Sequence, residues 1–260
     1  MQTASRGRAR IGVVVPVSNT NLEPDMQLMR PDGASMHFAR AGGYDLDEVP
    51  DAAQMKKLAL NSLGSVMTDL AAARPDVVLY GCTSATLAHG PEFDREFCGK
   101  ISAITGAPAI TAAGSLVQAL TAMDIRKIAF SSPYVAALND DAIGFLGACG
   151  FETVSRMDVN EDLGNYGQGE LTPDEVFDLG TGADSADAEA LVLSCTDMRA
   201  VETITRLEAE LGKPVITSNQ AMIFAASLQL GLEPAHVPEY GQLLSAGNME
   251  TARAAALRAA

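Results

Sequence analysis

Two cysteines stand where a reactive thiol could do work. Cys82 sits in Leu79-Tyr80-Gly81-Cys82-Thr83-Ser84, and Cys195 in Leu193-Ser194-Cys195-Thr196-Asp197. Each follows a short apolar run and precedes a Thr and residues able to open a helix. A thiol there meets the positive end of the helix dipole and free backbone N–H groups, which favour the thiolate over an ordinary thiol of pKa about 8.5. Both are therefore expected to ionise readily. Two thiols across one cleft could add to an electrophilic carbon, or act as acid and base on opposite faces of one carbon. Cys98 and Cys149 fall inside helical patterns and read as packing residues.

The surrounding residues suit a carboxylate. Ser18, Asn19, Thr20, Thr83, Ser84, Thr196, Ser218 and Asn219 are small donors at the ends of apolar runs. Such groups hold an anion without Arg or Lys, though each could equally be an ordinary helix N-cap. Other chemistries lack their signatures. There is no CxxC and no His pair at ligand spacing for zinc, no GxGxxG after a strand, no P-loop and no GxSxG elbow. His37 and His236 have no chemical context, and His89, just after the Cys82 block, reads as a bystander.

These residues need elements to position them. The runs 11–15, 76–80, 108–111, 127–132, 190–194 and 214–217 are short and nearly continuous in apolar character, as parallel strands buried on both faces are. Helical patterns lie between them at about 50–74, 91–105, 113–124, 135–149, 173–180, 199–212 and 220–231. The alternation predicts an α/β fold with parallel sheets flanked by helices. Residues 160–173, Gly-rich and acidic, read as a loop, and the Ala-rich tail as a surface helix or a frayed one. The chain also repeats itself: Pro16 and Pro133, Cys82 and Cys195, and Pro108 and Pro214 occupy matching contexts at offsets of 117, 113 and 106 residues. Two pseudo-symmetric lobes follow, with the ligand beyond the carboxyl ends of their strands, in the cleft between them. Lobe one is expected over 1–112, with helices from 219–260 returning to it, and lobe two over 113–218.

Composition narrows the partners. The 260 residues carry a formal charge of −15 and are 47% hydrophobic. That argues against disorder and against nucleic acid, while leaving room for a small anionic substrate. No apolar run is long enough to span a bilayer, so no membrane partner is expected. The N-terminus lacks a secretory signal pattern, and four Cys in a chain this size do not make a disulfide framework; a cytoplasmic protein is expected.

The blocks Val15-Pro16-Val17-Ser18-Asn19-Thr20-Asn21-Leu22-Glu23, Gly81-Cys82-Thr83-Ser84, Ser132-Pro133-Tyr134 and Leu193-Ser194-Cys195-Thr196-Asp197-Met198-Arg199 resemble the maleate cis–trans isomerase branch of the Asp/Glu racemase superfamily. The resemblance covers about residues 9–245. It implies an interlobe site with no metal and no cofactor, and a homodimer or higher homo-oligomer. It implies that Cys82 attacks an alkene, that Cys195 handles the proton, and that Asn19 binds a substrate carboxylate. Tyr134 and a lobe-two Asn, best matched by Asn165 with Asn160 the alternative, complete the pocket. Ser18, Thr83, Ser84 and Thr196 are expected to contact substrate. Residues 83–86 and 196–198 depart from the family pattern beside the thiols. The paired cysteines by themselves mark only the wider superfamily, which includes racemases of amino acids and hydantoins and arylmalonate decarboxylases, whereas a relative used in ectoine breakdown shares the same motifs. A small-acid binding module is the non-enzyme alternative, distinguished by having no need of reactive thiols.

Overall fold

The structure is a computed structural model that describes residues 9–47, 51–234 and 240–259. The leader at 1–8 and His236 lie outside the described residues. In chain order the elements are β1 (Ala9–Pro16), α1 (Leu22–Leu28), β2 (Ala34–Ala41), α2 (Ala52–Ser62), α3 (Ser65–Ala72), β3 (Val77–Tyr80), α4 (Ser84–Leu87), α5 (Gly90–Thr105), β4 (Ala109–Thr111) and α6 (Ala112–Ala122). The second half runs β5 (Lys127–Ser131), α7 (Ala136–Ala148), β6 (Glu152–Met157), α8 (Gly164–Glu170), α9 (Pro173–Ala183), β7 (Ala190–Leu193), α10 (Ile204–Leu211), β8 (Val215–Thr217), α11 (Ser218–Leu230) and α12 (Ala246–Ala259).

The strands form two four-stranded sheets of the same topology, β2-β1-β3-β4 and β6-β5-β7-β8. Every pairing is parallel, so all the carboxyl ends within a sheet point one way. This is the α/β fold expected, and the six strands read from apolar runs are all present. The central ones are sealed on both faces: Ile11, Val13, Val15, Val77, Val78, Leu79, Leu191, Val192 and Leu193 are fully buried. Burying a side chain of this size contributes about 1.5–3 kcal/mol, so these runs drive the fold.

Two strands were not expected. β2 (ASMHFARA) and β6 (ETVSRM) each lie at one edge of their sheet and, unlike the buried strand β8 at the opposite edge, are only half buried, so they lack the continuous apolar signature. The segment 50–74 is two helices rather than one, broken at Leu63-Gly64, with Gly64 as the N-cap of α3. The segment 160–173 is not all loop. It contains α8, and Gly169 there is needed for close approach: a Cβ on it would lie 2.9 Å from Asp197 Oδ2. The tail is not a surface appendage either. Met249 and Ala252 of α12 are buried, and the helix packs on α6 and α11.

α11 shows why apolar period alone could not place the last helices. All ten residues from Ser218 to Ser227 are buried, so it is enclosed on every side. A reciprocal capping box fixes its start, with Thr217 Oγ1 accepting from the Gln220 N–H and Gln220 Oε1 from the Thr217 N–H. Although it follows a strand of the second sheet, α11 packs on β3 and β4 of the first, and most heavily on α6.

Candidate active site

A pocket opens where the carboxyl ends of β1, β3 and β7 meet. It is lined by Cys82 and Cys195 together with Pro16, Ser18, Asn19, Tyr44, Met55, Leu58, Thr83, Ser84, Tyr134, Asn165, Gln168, Thr196 and Asp197. Its empty volume is about 370 Å³ with the open mouth included, which suits a small ligand. The two cysteines and the seven residues expected to contact substrate (Ser18, Asn19, Thr83, Ser84, Tyr134, Asn165 and Thr196) all line this one pocket. Among the described residues no Lys or Arg does, so the donors an anion meets here are neutral, with the Asp197 carboxylate beside them.

Gly81 makes the first cysteine's position reachable. A Cβ on Gly81 would stand 2.3 Å from Leu22 Cδ2 and 2.7 Å from the Val14 carbonyl oxygen, so only glycine lets the β3 end lie this close to β1 and α1. Cys82 follows, 7% exposed, with its Sγ 3.7 Å from Ser84 Oγ. On the other side Cys195 is 3% exposed, its Sγ 3.3 Å from the Tyr134 hydroxyl and receiving the Asp197 N–H at 3.3 Å.

The expectation that both thiols ionise readily is overturned. Burial pushes the Cys82 thiol up, against the Ala85 N–H and Ser84 hydroxyl that pull it down. Burial, and after it the Asp197 charge, push Cys195 up to about 12, against the Tyr134 hydroxyl and the Asp197 and Met198 N–H groups. Desolvation outweighs the donors because α4, after Cys82, is a single four-residue turn, and no helix begins directly after Cys195, where the next element is the short 3₁₀ turn Val201–Thr203. The second thiol thus stays protonated at neutral pH and is equipped to act as an acid.

Asn19 is oriented by its own chain. Its Oδ1 accepts from the backbone N–H groups of Asn21 (3.1 Å) and Leu22 (2.9 Å), which turns Nδ2 across the cleft to Thr196 Oγ1 at 3.1 Å. Arg40 of β2 steadies this loop by donating to the carbonyls of Asn19 and Val17 while paired with Glu23. Thr83 donates to Ser218 Oγ, and Ser18 lies 3.3 Å from the Tyr44 hydroxyl. Asn165 donates to the Leu46 carbonyl and faces the pocket, whereas Asn160 lines a separate outer groove with Glu161 and Asp178. Of the donors named from sequence, Thr20, Ser218 and Asn219 serve the framework and do not line the pocket.

Five lining residues were not singled out from sequence. Tyr44 follows β2, and Gln168 lies on α8, two elements that were not read. Met55 and Leu58 sit three apart on α2, a spacing that marks one helix face but not what it faces. Asp197 was visible in the Cys-Thr-Asp block; in the fold its carboxylate accepts from the Thr20 and Asn21 N–H groups, and burial raises it to about 6 despite them. His89 stacks edge-on with Phe93 and His37 is bonded to Ser35, both away from the pocket. Cys98 and Cys149 are half-buried and do not line it. Among the described residues no group of three or more His, Cys, Asp or Glu is placed to hold a metal ion, and no helix is long and apolar enough to cross a membrane.

Behind the pocket, Asp25 of α1 is buried and bonded to Asn219 Nδ2 at 2.7 Å. Burial raises it to about 7, well above the roughly 3.9 of an unfolded Asp. Below about pH 4 the carboxyl is protonated in both states and costs nothing. Between there and pH 7 the unfolded chain loses the proton while the folded chain keeps it, so stability falls as pH rises. Asp25→Asn is therefore expected to be more stable than the parent by about 1–3 kcal/mol at pH 8, with the gap narrower at pH 5 and closing only near pH 4. Urea unfolding at the two pH values measures this, and a gap independent of pH would contradict it.

The sequence model of the arylmalonate decarboxylase family matches residues 11–244. The chain is 31% identical to the maleate isomerase of Pseudomonas putida over 253 residues, covering 91% of this chain and 97% of that protein. It is 30% identical to the maleate isomerase of Nocardia farcinica over 259 residues, covering 95% and 99%. Among solved structures, a cysteine-to-serine variant of the Nocardia farcinica maleate cis–trans isomerase, with a covalently bound succinylcysteine intermediate, superposes with a TM-score of 0.83 at 25% identity over 91% of this chain and 98% of that one. With the duplicated parallel sheets and the paired strand-end cysteines, these matches establish that the chain belongs to the arylmalonate decarboxylase family, in the maleate isomerase branch of the Asp/Glu racemase superfamily.

Proposed function

We propose that this protein is a cofactor-independent cis–trans isomerase of a small unsaturated dicarboxylate, converting a maleate-type substrate to its fumarate-type isomer. The observation that carries this reading is the placement of Cys82 and Cys195, from equivalent strand ends of two sheets, on one small pocket lined by neutral donors. Cys82 releases its proton to solvent and, as thiolate, bonds to one alkene carbon. The π pair moves to the neighbouring carbon and into its carboxylate. The Cys195 thiol gives its proton to that carbon, leaving a succinyl-cysteine and a single bond free to rotate. After rotation the Cys195 thiolate takes the proton back, the Cys82 sulfur leaves with its bonding pair, and the trans acid departs.

Asn19 and Ser84 hold one carboxylate where charge builds, an effect worth about 3 kcal/mol per donor. Ser18, Tyr134 and Asn165 hold the other through the rotation, while the Thr83 hydroxyl, already given to Ser218 Oγ, lines the pocket beside them. In this reading residues 1–112 and 113–218 are the two lobes and the helices from 219–260 belong with the first, supported by the packing of α11 on β3 and β4. We place the protein in the cytoplasm, supported by four free cysteines, and as a homodimer or higher homo-oligomer, as the family resemblance implies.

The test is a panel of maleate, aspartate, glutamate, hydantoins and arylmalonates followed by NMR in D₂O. Fumarate from maleate is expected. Deuterium washed into the α position of an amino acid or hydantoin, with maleate untouched, would instead make the protein a racemase, the second reading that a pair of facing thiols supports.

A further inference from the structure

Thr196 touches both thiol-bearing loops. It directly follows Cys195, and its hydroxyl donates to the Gly81 carbonyl at 2.9 Å, one residue before Cys82. The same hydroxyl oxygen accepts from Asn19 Nδ2 at 3.1 Å. Its backbone carbonyl accepts from Asn219 Nδ2 at 3.0 Å, and that nitrogen also donates to Asp25 Oδ2 at 2.7 Å. A hydroxyl has one proton, and this one is committed to Gly81. Thr196 is 4% exposed, and its side chain has no second proton to offer a substrate carboxylate.

The two cysteines end strands of different sheets, and no ladder bond joins those sheets. Within either sheet, nothing fixes how far the end of β3 lies from the end of β7. The Thr196–Gly81 bond joins the two loops directly, and the Asp25–Asn219 pair ties its far side to α1 and α11. We propose that Thr196 is a positioning residue that sets the separation of the Cys82 and Cys195 sulfurs, not a substrate ligand. The proposal rests on the isomerase reading above.

The two chemical steps depend on that separation differently. Addition needs only Cys82, while proton transfer needs Cys195 in register with the adduct, where a displacement of about 1 Å can cost 100-fold. Loss of the Thr196 hydroxyl should therefore slow turnover without weakening binding. Thr196→Val is expected to lower kcat by about 10- to 100-fold with KM within about twofold, and to accumulate the Cys82 adduct seen by intact-mass spectrometry. Thr196→Ser, which keeps the hydroxyl, is expected to recover kcat to within about threefold of the parent. A KM raised tenfold with kcat preserved in Thr196→Val would make Thr196 a substrate ligand and overturn the proposal. So would a Ser variant as impaired as Val. Crystal structures of the parent and Thr196→Val supply a readout that needs no turnover: a sulfur–sulfur separation that differs by about 0.5 Å or more is expected, and one that is unchanged overturns the proposal. If the parent leaves maleate untouched, the isomerase reading fails, and that crystallographic comparison still decides the role of Thr196.

Discussion

Cys82→Ala is expected to abolish turnover of a maleate-type substrate, by at least about 10⁴-fold, and with it any covalent adduct. The reason is that rotation about a C=C bond is forbidden until its π pair is displaced. The donors at Asn19, Ser84 and Tyr134 can hold both carboxylates, but none of them breaks that bond. Binding should survive in the variant, because the removed sulfur is not among the anion-holding groups. The fold should survive too: alanine leaves the Gly81 approach intact and removes a single buried atom. Fumarate appearance by NMR reads the rate, intact-mass spectrometry reads the adduct, and thermal melting checks the fold. A Cys82→Ala protein turning over near the parent rate would sink the covalent mechanism. If Cys195→Ala were dead at the same time, the roles would be reversed and the decarboxylase-like reading of the family would gain.

Cys195→Ser should behave differently: a fall of about 10²- to 10⁴-fold in kcat, with the adduct on Cys82 accumulating. The parent thiol is held up to about 12, first by burial and then by the Asp197 charge, so at neutral pH it carries a proton, which in the proposed mechanism quenches the developing carbanion. The Asp197 N–H, 3.3 Å from that sulfur, stabilises the thiolate left behind, which must then take the proton back. A serine hydroxyl in the same place is a far weaker acid, and its alkoxide is too costly to form in a buried pocket. Addition at Cys82 still proceeds, solvent can protonate the carbon, and the return step stalls. Mass spectrometry after brief exposure to substrate should show the Cys82 adduct as a large fraction of the protein. If the serine variant kept the parent rate and showed no adduct, Cys195 would have no part in the proton transfer.

Much of this site is written in local sequence because parallel strands advertise themselves. Strands buried on both faces, such as Ile11–Val15 and Leu191–Leu193, must be apolar at every position, and the residues just past them are those a ligand meets. The two cysteines, Asn19, Tyr134 and the repeat that relates the halves could all be found that way. β2 and β6 could not, since both are only partly buried and their residues need not be apolar. With β2 went Tyr44, and with the unread helix α8 went Gln168.

What only the tertiary structure decided are quantities that belong to no single segment. The residues after Cys82 and Cys195 suggest helix starts and so thiolates, yet both thiols are raised, because desolvation depends on everything packed around a group and not on its chain neighbours. Asp25 and Asn219, 194 residues apart, become a buried pair only when α11 crosses onto the first sheet. Thr196 looks from sequence like one more donor beside a thiol. In the fold its proton is already given to Gly81, 115 residues away, because a hydrogen bond is settled by distance in space, which the order of residues along the chain does not contain.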